Sequence, residues 1–259
     1  MTDELLYEIQ DGIGRITFNR PAQRNAFTFA MYERLAAVCT EIEADGRVKA
    51  LILTGAGDKA FAAGTDISQF KAFETPEDAL AYEGRIDRVL GALERCRVPT
   101  IAAIVGACTG GGAGIAAACD LRIAATGAKF GFPIARTLGN CLSTGNYARL
   151  AALIGPARVK EMIFLAKLVS AEEALAIGLV TEVLDSQETL MARAAEMAAI
   201  VAGHAPLTLR ATKESLRRIK EKMLADEDHD LILSCYMSED FREGMDAFLN
   251  KRPPVWRGR

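Results

Sequence analysis

One stretch limits what this chain can fold into: Pro99-Thr-Ile-Ala-Ala-Ile-Val-Gly-Ala-Cys-Thr-Gly-Gly-Gly-Ala-Gly-Ile-Ala-Ala-Ala-Cys-Asp120. Its apolar run, Ile101 to Val105, is short enough for a strand buried on both faces, and Gly106 ends it. Gly110, Gly111 and Gly112 then precede small, helix-compatible residues, Ala113 to Ala118. The expected unit is strand, tight turn, helix. Glycines at such a junction let backbone approach a ligand and take positive φ. The first amides of the helix lack intrahelical partners and sit at the positive end of its dipole. They suit an anion, or an oxygen that becomes anionic during a reaction. The same junction also serves elsewhere as a plain turn. Gly112, Gly114 and Ala117 fit G-x-G-x-x-A, but Asp120 is far too close to be the acidic partner of a dinucleotide site. A Rossmann-type dehydrogenase is therefore the weaker reading, and no P-loop pattern occurs.

The flanking pattern supports an α/β chain. Leu5 to Ile9 and Ile13 to Phe18 alternate around Asp11-Gly12, a hairpin signal. Met31, Leu35, Val38 and Ile42 recur at helical spacing, predicting a helix over 28–44. Lys49 to Thr54 reads as a buried strand. Thr75-Pro76-Glu77 reads as a helix start with Pro at the first position, the helix running to about Cys96. Leu121 to Ala125 and Lys129 to Phe132 read as short strands, and 133–144 as irregular. Thereafter helices dominate, with one strand near 180–184, a capping box at Ser170-Ala-Glu-Glu173, and last helices over 206–223 and 226–249. Alternating strands and helices in the first part predict repeated βαβ units.

With 259 residues, half of them apolar, the chain has material for a substantial core. A net charge of −3 argues against a nucleic-acid binder. No apolar run approaches the roughly 18 residues of a membrane span, and the acidic start, Met1-Thr-Asp-Glu, is unlike a signal peptide. Six scattered cysteines without C-x-x-C predict free thiols in a reducing cytoplasm. His204 and His229 have no ligand cluster beside them, so no metal site is expected.

Several phrases together resemble the crotonase (enoyl-CoA hydratase/isomerase) superfamily. They are Asn19-Arg20-Pro21 with Asn25-Ala26, Phe61-Ala-Ala-Gly-Thr-Asp-Ile67, Gly106-Ala-Cys-Thr-Gly-Gly-Gly112 with Cys119-Asp120, Ser170-Ala-Glu-Glu-Ala-Leu-Ala-Ile-Gly-Leu-Val180, and Glu243-Gly-Met-Asp-Ala-Phe-Leu-Asn-Lys-Arg252. They cover nearly the whole chain in order. The resemblance implies a crotonase-type ββα-repeat spiral core over 1–190 and a C-terminal helical trimerisation segment over 191–259. It implies an acyl-CoA thioester as substrate, with no other cofactor, and a homotrimer or dimer of trimers. Two backbone amides hold the thioester oxygen as it becomes an enolate; here they would belong to Thr65 and Gly111. Coenzyme A would lie by backbone at Ala62, Ala63 and Ile67, with Arg24 and Asp66 in its neighbourhood. Phe248 and Lys251 match a Phe and a Lys that a neighbouring subunit contributes in relatives. Asp66 is read chiefly as fixing its own loop.

The chain departs from the family pattern where hydratases carry two glutamates. One follows the glycine triplet, and Gly114 stands there. The other lies in P-E-x-x-x-G, and Ile134 stands there. Neither can serve as acid or base, so ordinary enoyl-CoA hydration is doubtful. Nearby, Gly139-Asn140-Cys141 resembles the place where dehalogenating relatives carry a nucleophilic Asp, making Cys141 either a nucleophile or a buried small hydrophobe. Arg136 is either a carboxylate anchor for a decarboxylase or a surface ion-pair partner. The reading is a hydratase/isomerase-family lyase or isomerase. Its alternatives are a decarboxylase, thioester hydrolase or dehalogenase-like enzyme, or a non-catalytic acyl-CoA-binding protein.

Overall fold

The computed structural model describes residues 3–222 and 228–259. Strands β1 (Leu5–Gln10) and β2 (Ile13–Phe18) form the expected antiparallel hairpin, turned at Asp11 and Gly12, both at positive φ. Helix α1 (Phe29–Asp45) starts where the Thr28 side chain accepts from the Met31 amide. Strands β3 (Ala50–Gly55) and β4 (Ala60–Ala62) lead through a 3-10 segment, Ile67–Ala72, to α2 (Pro76–Arg95). Thr75 and Asp78 close a capping box at the start of α2, with Pro76 in its first turn. Next come β5 (Thr100–Ile104), β6 (Ala107–Thr109), α3 (Gly111–Ala118), β7 (Leu121–Ala125), β8 (Lys129–Gly131) and α4 (Ile134–Thr137). The chain continues through α5 (Thr144–Phe164), β9 (Val169–Ser170), α6 (Ala171–Ala176), β10 (Glu182–Leu184) and α7 (Gln187–Ala202). It ends with α8 (Pro206–Lys222), α9 (His229–Tyr236) and α10 (Glu239–Leu249).

Two sheets result. The larger runs β1-β2-β3-β5-β7-β10 and is parallel from β2 onward; the smaller runs β4-β6-β8-β9. Each pair β3–β4, β5–β6 and β7–β8 sends its first strand into the large sheet and its second into the small one, and a helix follows. This is the ββα repeat that the resemblance implies. The period-2 alternation of the central strands sorts their side chains cleanly. Ala50, Ile52, Ile101, Ala103, Ile123 and Ala125 pack with Leu190, Ala194 and Ala198 of α7. Leu51, Leu53, Ala102, Ile104 and Ala124 face the opposite way, in the cluster that holds the buried faces of α1 and α2.

Several expectations are corrected. Gly106 does not lead straight into the helix: β6 intervenes, because Gly106 takes φ +58 and a Cβ there would lie 2.2 Å from the Lys59 carbonyl oxygen. The chain crosses there from one sheet to the other. Segment 133–144 carries the short α4 rather than being wholly irregular, and β9 joins the small sheet. The helix expected over 226–249 is two helices, because the Ser238 side chain caps a new start at the Phe241 amide. The expectations at 223 and 226–227 lie outside the described residues. The boundary expected at 190 falls inside α7, whose Leu190, Ala194 and Ala198 belong to the sheet's packing. The last helices also do more than the expected segment implied. Phe241 packs against Phe70 and Tyr236, with ring centroids 6.2 and 4.8 Å apart, so α9 and α10 close over the first repeat.

Candidate active site

The two candidate amides are oriented by their own peptide units. Phe27 N–H donates to Gly64 O at 2.8 Å. In a trans peptide the C=O and N–H point in opposite directions, and no peptide in the described chain is cis. The Thr65 N–H therefore points away from Phe27. Likewise Gly114 N–H donates to Gly110 O at 3.0 Å, as the first turn of α3 closes. The Gly111 N–H therefore points out of the helix start. Gly64, Thr65, Gly110 and Gly111 all line one cavity of about 450 Å³.

Each glycine of the triplet has its own reason. Gly110 sits at φ +53, ψ −125, a region that side chains exclude. A Cβ on Gly111 would lie 2.0 Å from Tyr32 Oη, and one on Gly112 would lie 2.2 Å from the Ala62 carbonyl oxygen. The loop is thus pressed onto β4 and α1. Thr65 Oγ1 fixes the opposite side, hydrogen-bonded to both Tyr32 Oη and Tyr82 Oη at 2.9 Å. Burial pushes both phenols up, so they stay neutral.

Arg24, Ala63, Asp66, Ile67 and Phe248 also line the cavity. Ala63 N–H donates to Arg24 O at 3.0 Å, tying the two loops together. Asp66 caps its 3-10 segment, accepting from Ser68 N at 3.2 Å and from Arg20 Nη2 at 3.0 Å. Partial burial opposes its charge, but these hydrogen bonds win and hold the carboxyl below its ordinary range. Ala62 is buried in β4 and lies outside the lining, as does the exposed Lys251. Phe248 reaches the cavity of its own chain, so no neighbouring subunit is needed to bring it there.

Gly114 and Ile134 both stand in the cavity wall. A Cβ at Gly114 would make ordinary contacts, 3.4 Å to Leu90 Cδ1 and 3.6 Å to Asn146 Oδ1. Of the three speculative side chains, only Asn140 lines the cavity. Its Nδ2 donates to Tyr236 Oη at 3.1 Å, and its Oδ1 is buried without a hydrogen-bond partner among the described residues. Cys141 stands off the wall, with Sγ donating to Leu231 O at 3.7 Å. The neighbouring Cys235 thiol and burial push the Cys141 thiol up, the opposite of what a thiolate nucleophile needs. Arg136 is exposed and outside the lining, which leaves it unable to anchor a carboxylate inside.

The sequence reading missed Glu83. It lies on α2, with Ile86 and Leu90 along one stripe, and all three line the cavity. It is only 4% exposed. Its Oε1 accepts from Tyr236 Oη at 2.5 Å. Burial pushes its carboxyl up to about 8, although the hydrogen bond from Tyr236 acts in the other direction. Beside it a buried polar chain runs outward. Ser143 Oγ donates to Asp87 Oδ1 at 2.7 Å, Asn146 Nδ2 to Ser143 Oγ at 3.1 Å, and Arg149 Nη1 to Asn146 Oδ1 at 3.0 Å. Arg149 then pairs with Glu94 at 2.9 Å. The only sequence signal was an acid at a core-facing position of the α2 pattern.

Comparisons with known proteins agree with this architecture. The profile of the Enoyl-CoA hydratase/isomerase family matches residues 8–259. The chain is 37% identical over 261 residues to a short-chain-enoyl-CoA hydratase of Clostridium acetobutylicum, covering 96% of each. It is 33% identical to a crotonyl-CoA hydratase of Syntrophomonas wolfei, again covering 96% of each. Among solved structures, a methylmalonyl-CoA decarboxylase in complex with 2-nitronate-propionyl-CoA superposes with TM-score 0.91 at 27% identity, covering 99% of both chains. An enoyl-CoA hydratase/carnithine racemase from Magnetospirillum magneticum gives TM-score 0.81 at 32% identity, covering 100% of this chain and 97% of that one. The chain belongs to the enoyl-CoA hydratase/isomerase family, within the crotonase superfamily that its sequence resembles.

Proposed function

We propose that this protein transforms an acyl-CoA thioester through an enolate held by the Thr65 and Gly111 amides, and that it is not an ordinary enoyl-CoA hydratase. One observation carries the reading: two peptide units, fixed by the hydrogen bonds of Gly64 O and Gly110 O, turn their N–H groups away from those bonds at the wall of one cavity. Preorganised donors of this kind stabilise an oxygen that gains charge, each contributing about 10²–10³ in rate. Adding water requires in addition a positioned acid and base, each contributing about 10²–10⁴. Gly114 and Ile134 supply neither. Arg24, Ala63, Ile67 and Phe248, along the same cavity, are the proposed contacts for coenzyme A. No cofactor beyond the substrate's own coenzyme A is invoked.

Decarboxylation is the second reading. It is favoured by the likeness to a methylmalonyl-CoA decarboxylase, whose bound nitronate is a planar anion like an enolate. Loss of carbon dioxide leaves an enolate and needs only one returned proton. A trimeric, cytoplasmic protein is the expected setting, and α8 exposes Leu207, Leu216 and Ile219 for subunit contact.

The test is a crotonyl-CoA hydration assay with an acetoacetyl-CoA titration on the same sample. Saturable binding that shifts acetoacetyl-CoA to its enolate absorbance, with hydration near background, is expected. Fast hydration refutes the reading of Gly114 and Ile134. Absence of enolate binding refutes the amide site.

A further inference from the structure

The cavity holds the proposed amides but lacks both family glutamates, so the proton that must move needs another carrier. Among the described residues lining it, the titratable side chains are Arg24, Asp66, Tyr82 and Glu83. Asp66 is committed to Ser68 and Arg20, and the Tyr82 hydroxyl to Thr65. The Arg24 guanidinium offers hydrogen-bond donors and no acceptor. Glu83 alone combines a carboxyl, deep burial and a place in the wall.

Its surroundings hold it as a working group would be held. Tyr236 Oη donates to Oε1, and Asn140 Nδ2 donates in turn to Tyr236 Oη. Asn140, itself in the wall, has a buried Oδ1 without a partner among the described residues. Buried polar atoms are rarely left so, and this one marks a place for a ligand's hydrogen-bond donor beside the carboxyl. The titratable groups facing Glu83 are Tyr82 and Asp87 on its own helix and Tyr32 from α1. The others are Cys141 and Tyr147 around the start of α5, and Asp228 and Tyr236 before and on α9.

We propose that Glu83 is the catalytic acid–base residue of this site, supplied from α2 in place of the glutamates missing at Gly114 and Ile134. This rests on the amide reading above. Its carboxylate takes a proton from an acyl-chain carbon. The C–H electron pair becomes the carbon–carbon double bond of an enolate, whose charge settles on the thioester oxygen between the Thr65 and Gly111 amides. The carboxylic acid then returns the proton, to the same carbon or, for an unsaturated chain, to the carbon two places along. No water or co-reactant is consumed, so the chemistry is enolisation and double-bond migration rather than hydration. Tyr236 is a positioning residue, acting through Glu83.

Deuterium exchange at the α-carbon of butyryl-CoA, followed by NMR, tests this directly. The native protein should catalyse exchange, with a rate that rises with pH and levels near 8, where the carboxyl loses its proton. Glu83→Gln should lose at least about 10² of that rate while still binding acetoacetyl-CoA as its enolate. Tyr236→Phe should keep exchange but move the profile to higher pH, because the hydrogen bond it removes favours the carboxylate. Exchange by Glu83→Gln within about threefold of native overturns the proposal; so does a native protein that binds the enolate but exchanges nothing. If Glu83→Gln fails to fold, an unmoved profile in Tyr236→Phe overturns it. Failure of the native protein to bind the enolate at all would instead locate the fault in the amide reading.

Discussion

Gly111→Ala is the sharpest single test of the amide geometry. The new Cβ would lie 2.0 Å from Tyr32 Oη, more than 1 Å inside ordinary contact, and 3.2 Å from Thr65 Oγ1. Tyr32 has nowhere to go. It is fully buried, its ring stands 4.9 Å from that of Phe27, and its hydroxyl is bonded to Thr65. Either Tyr32 breaks that bond, or the Gly111 peptide retreats and its N–H leaves its position. Overpacking of this kind costs about 1–3 kcal/mol of stability, and a chain of this size loses about 2–4 °C of Tm per kcal/mol. Loss of one donor to an enolate costs about 10²–10³ in rate, or roughly 3–4 kcal/mol.

The clash has a single partner, so it can be relieved. In Gly111→Ala/Tyr32→Phe the offending oxygen is gone, and the next atoms, Thr65 Oγ1 and Tyr32 Cζ, lie 3.2 and 3.3 Å from the new Cβ, tight but workable. Tyr32→Phe alone removes one hydrogen bond, worth about 1 kcal/mol, and leaves Thr65 its bond to Tyr82. The double variant should therefore recover at least about tenfold of what Gly111→Ala loses, a non-additivity expected of residues in contact. Enolate binding of acetoacetyl-CoA and α-carbon exchange give the readout, with thermal melts to confirm folding. A folded Gly111→Ala that binds the enolate within about threefold of native refutes the geometry. A folded double variant without recovery refutes the assignment of the clash to Tyr32.

Three further outcomes are expected. Glu83 keeps a proton in the folded state up to about pH 8, whereas an unfolded Glu releases it near 4.3; stability should therefore fall as pH rises from 5 to 9, and Glu83→Gln should flatten that slope in melts. Asp87, also raised by burial, shares the sign, so some slope should persist. Gly114→Ala meets only ordinary contacts inside α3 and should stabilise by up to about 1 kcal/mol, read as a Tm rise of a few degrees. Cys141→Ala should keep α-carbon exchange within about threefold of native, since the thiol stands off the cavity with its pKa raised; a hundredfold loss would restore the nucleophile reading.

Much of the scaffold was legible because local rules governed it. The hairpin at Asp11-Gly12, the cap at Thr75, and the strands β3 and β5, buried along their whole length, follow from turn chemistry, a side-chain oxygen and short apolar runs. What was lost depended on distant partners. Strand β6 has three residues and exists only because Ala107 and Cys108 pair with β4 on one side and Lys129 and Phe130 with them on the other. The break between α9 and α10 turns on the single Ser238 cap, inside a run whose apolar spacing continues across it. In the site, Thr65 and Gly111 were named through the family resemblance, and both stand in the cavity wall. Asp66 accepts from Ser68 N and Oγ within its own loop.

The placing of Glu83 shows what that asymmetry means for function. The proposed oxyanion amides are backbone groups, so their positions follow from the glycine triplet and the Phe27–Thr65 bridge. An acid or base is a side chain, and any element that borders the cavity can carry it. Here α2, α3, α4 and α10 all contribute to that border, through Glu83, Gly114, Ile134 and Phe248 respectively. At the fixed spacing behind the triplet stands Gly114, which has no side chain to carry a proton. Elsewhere in the same wall Glu83 is buried, bonded to Tyr236 and protonated near neutral pH. On the proposed reading, thioester binding stays with the backbone while proton transfer moves to the wall that holds the carboxyl, and here that wall is α2.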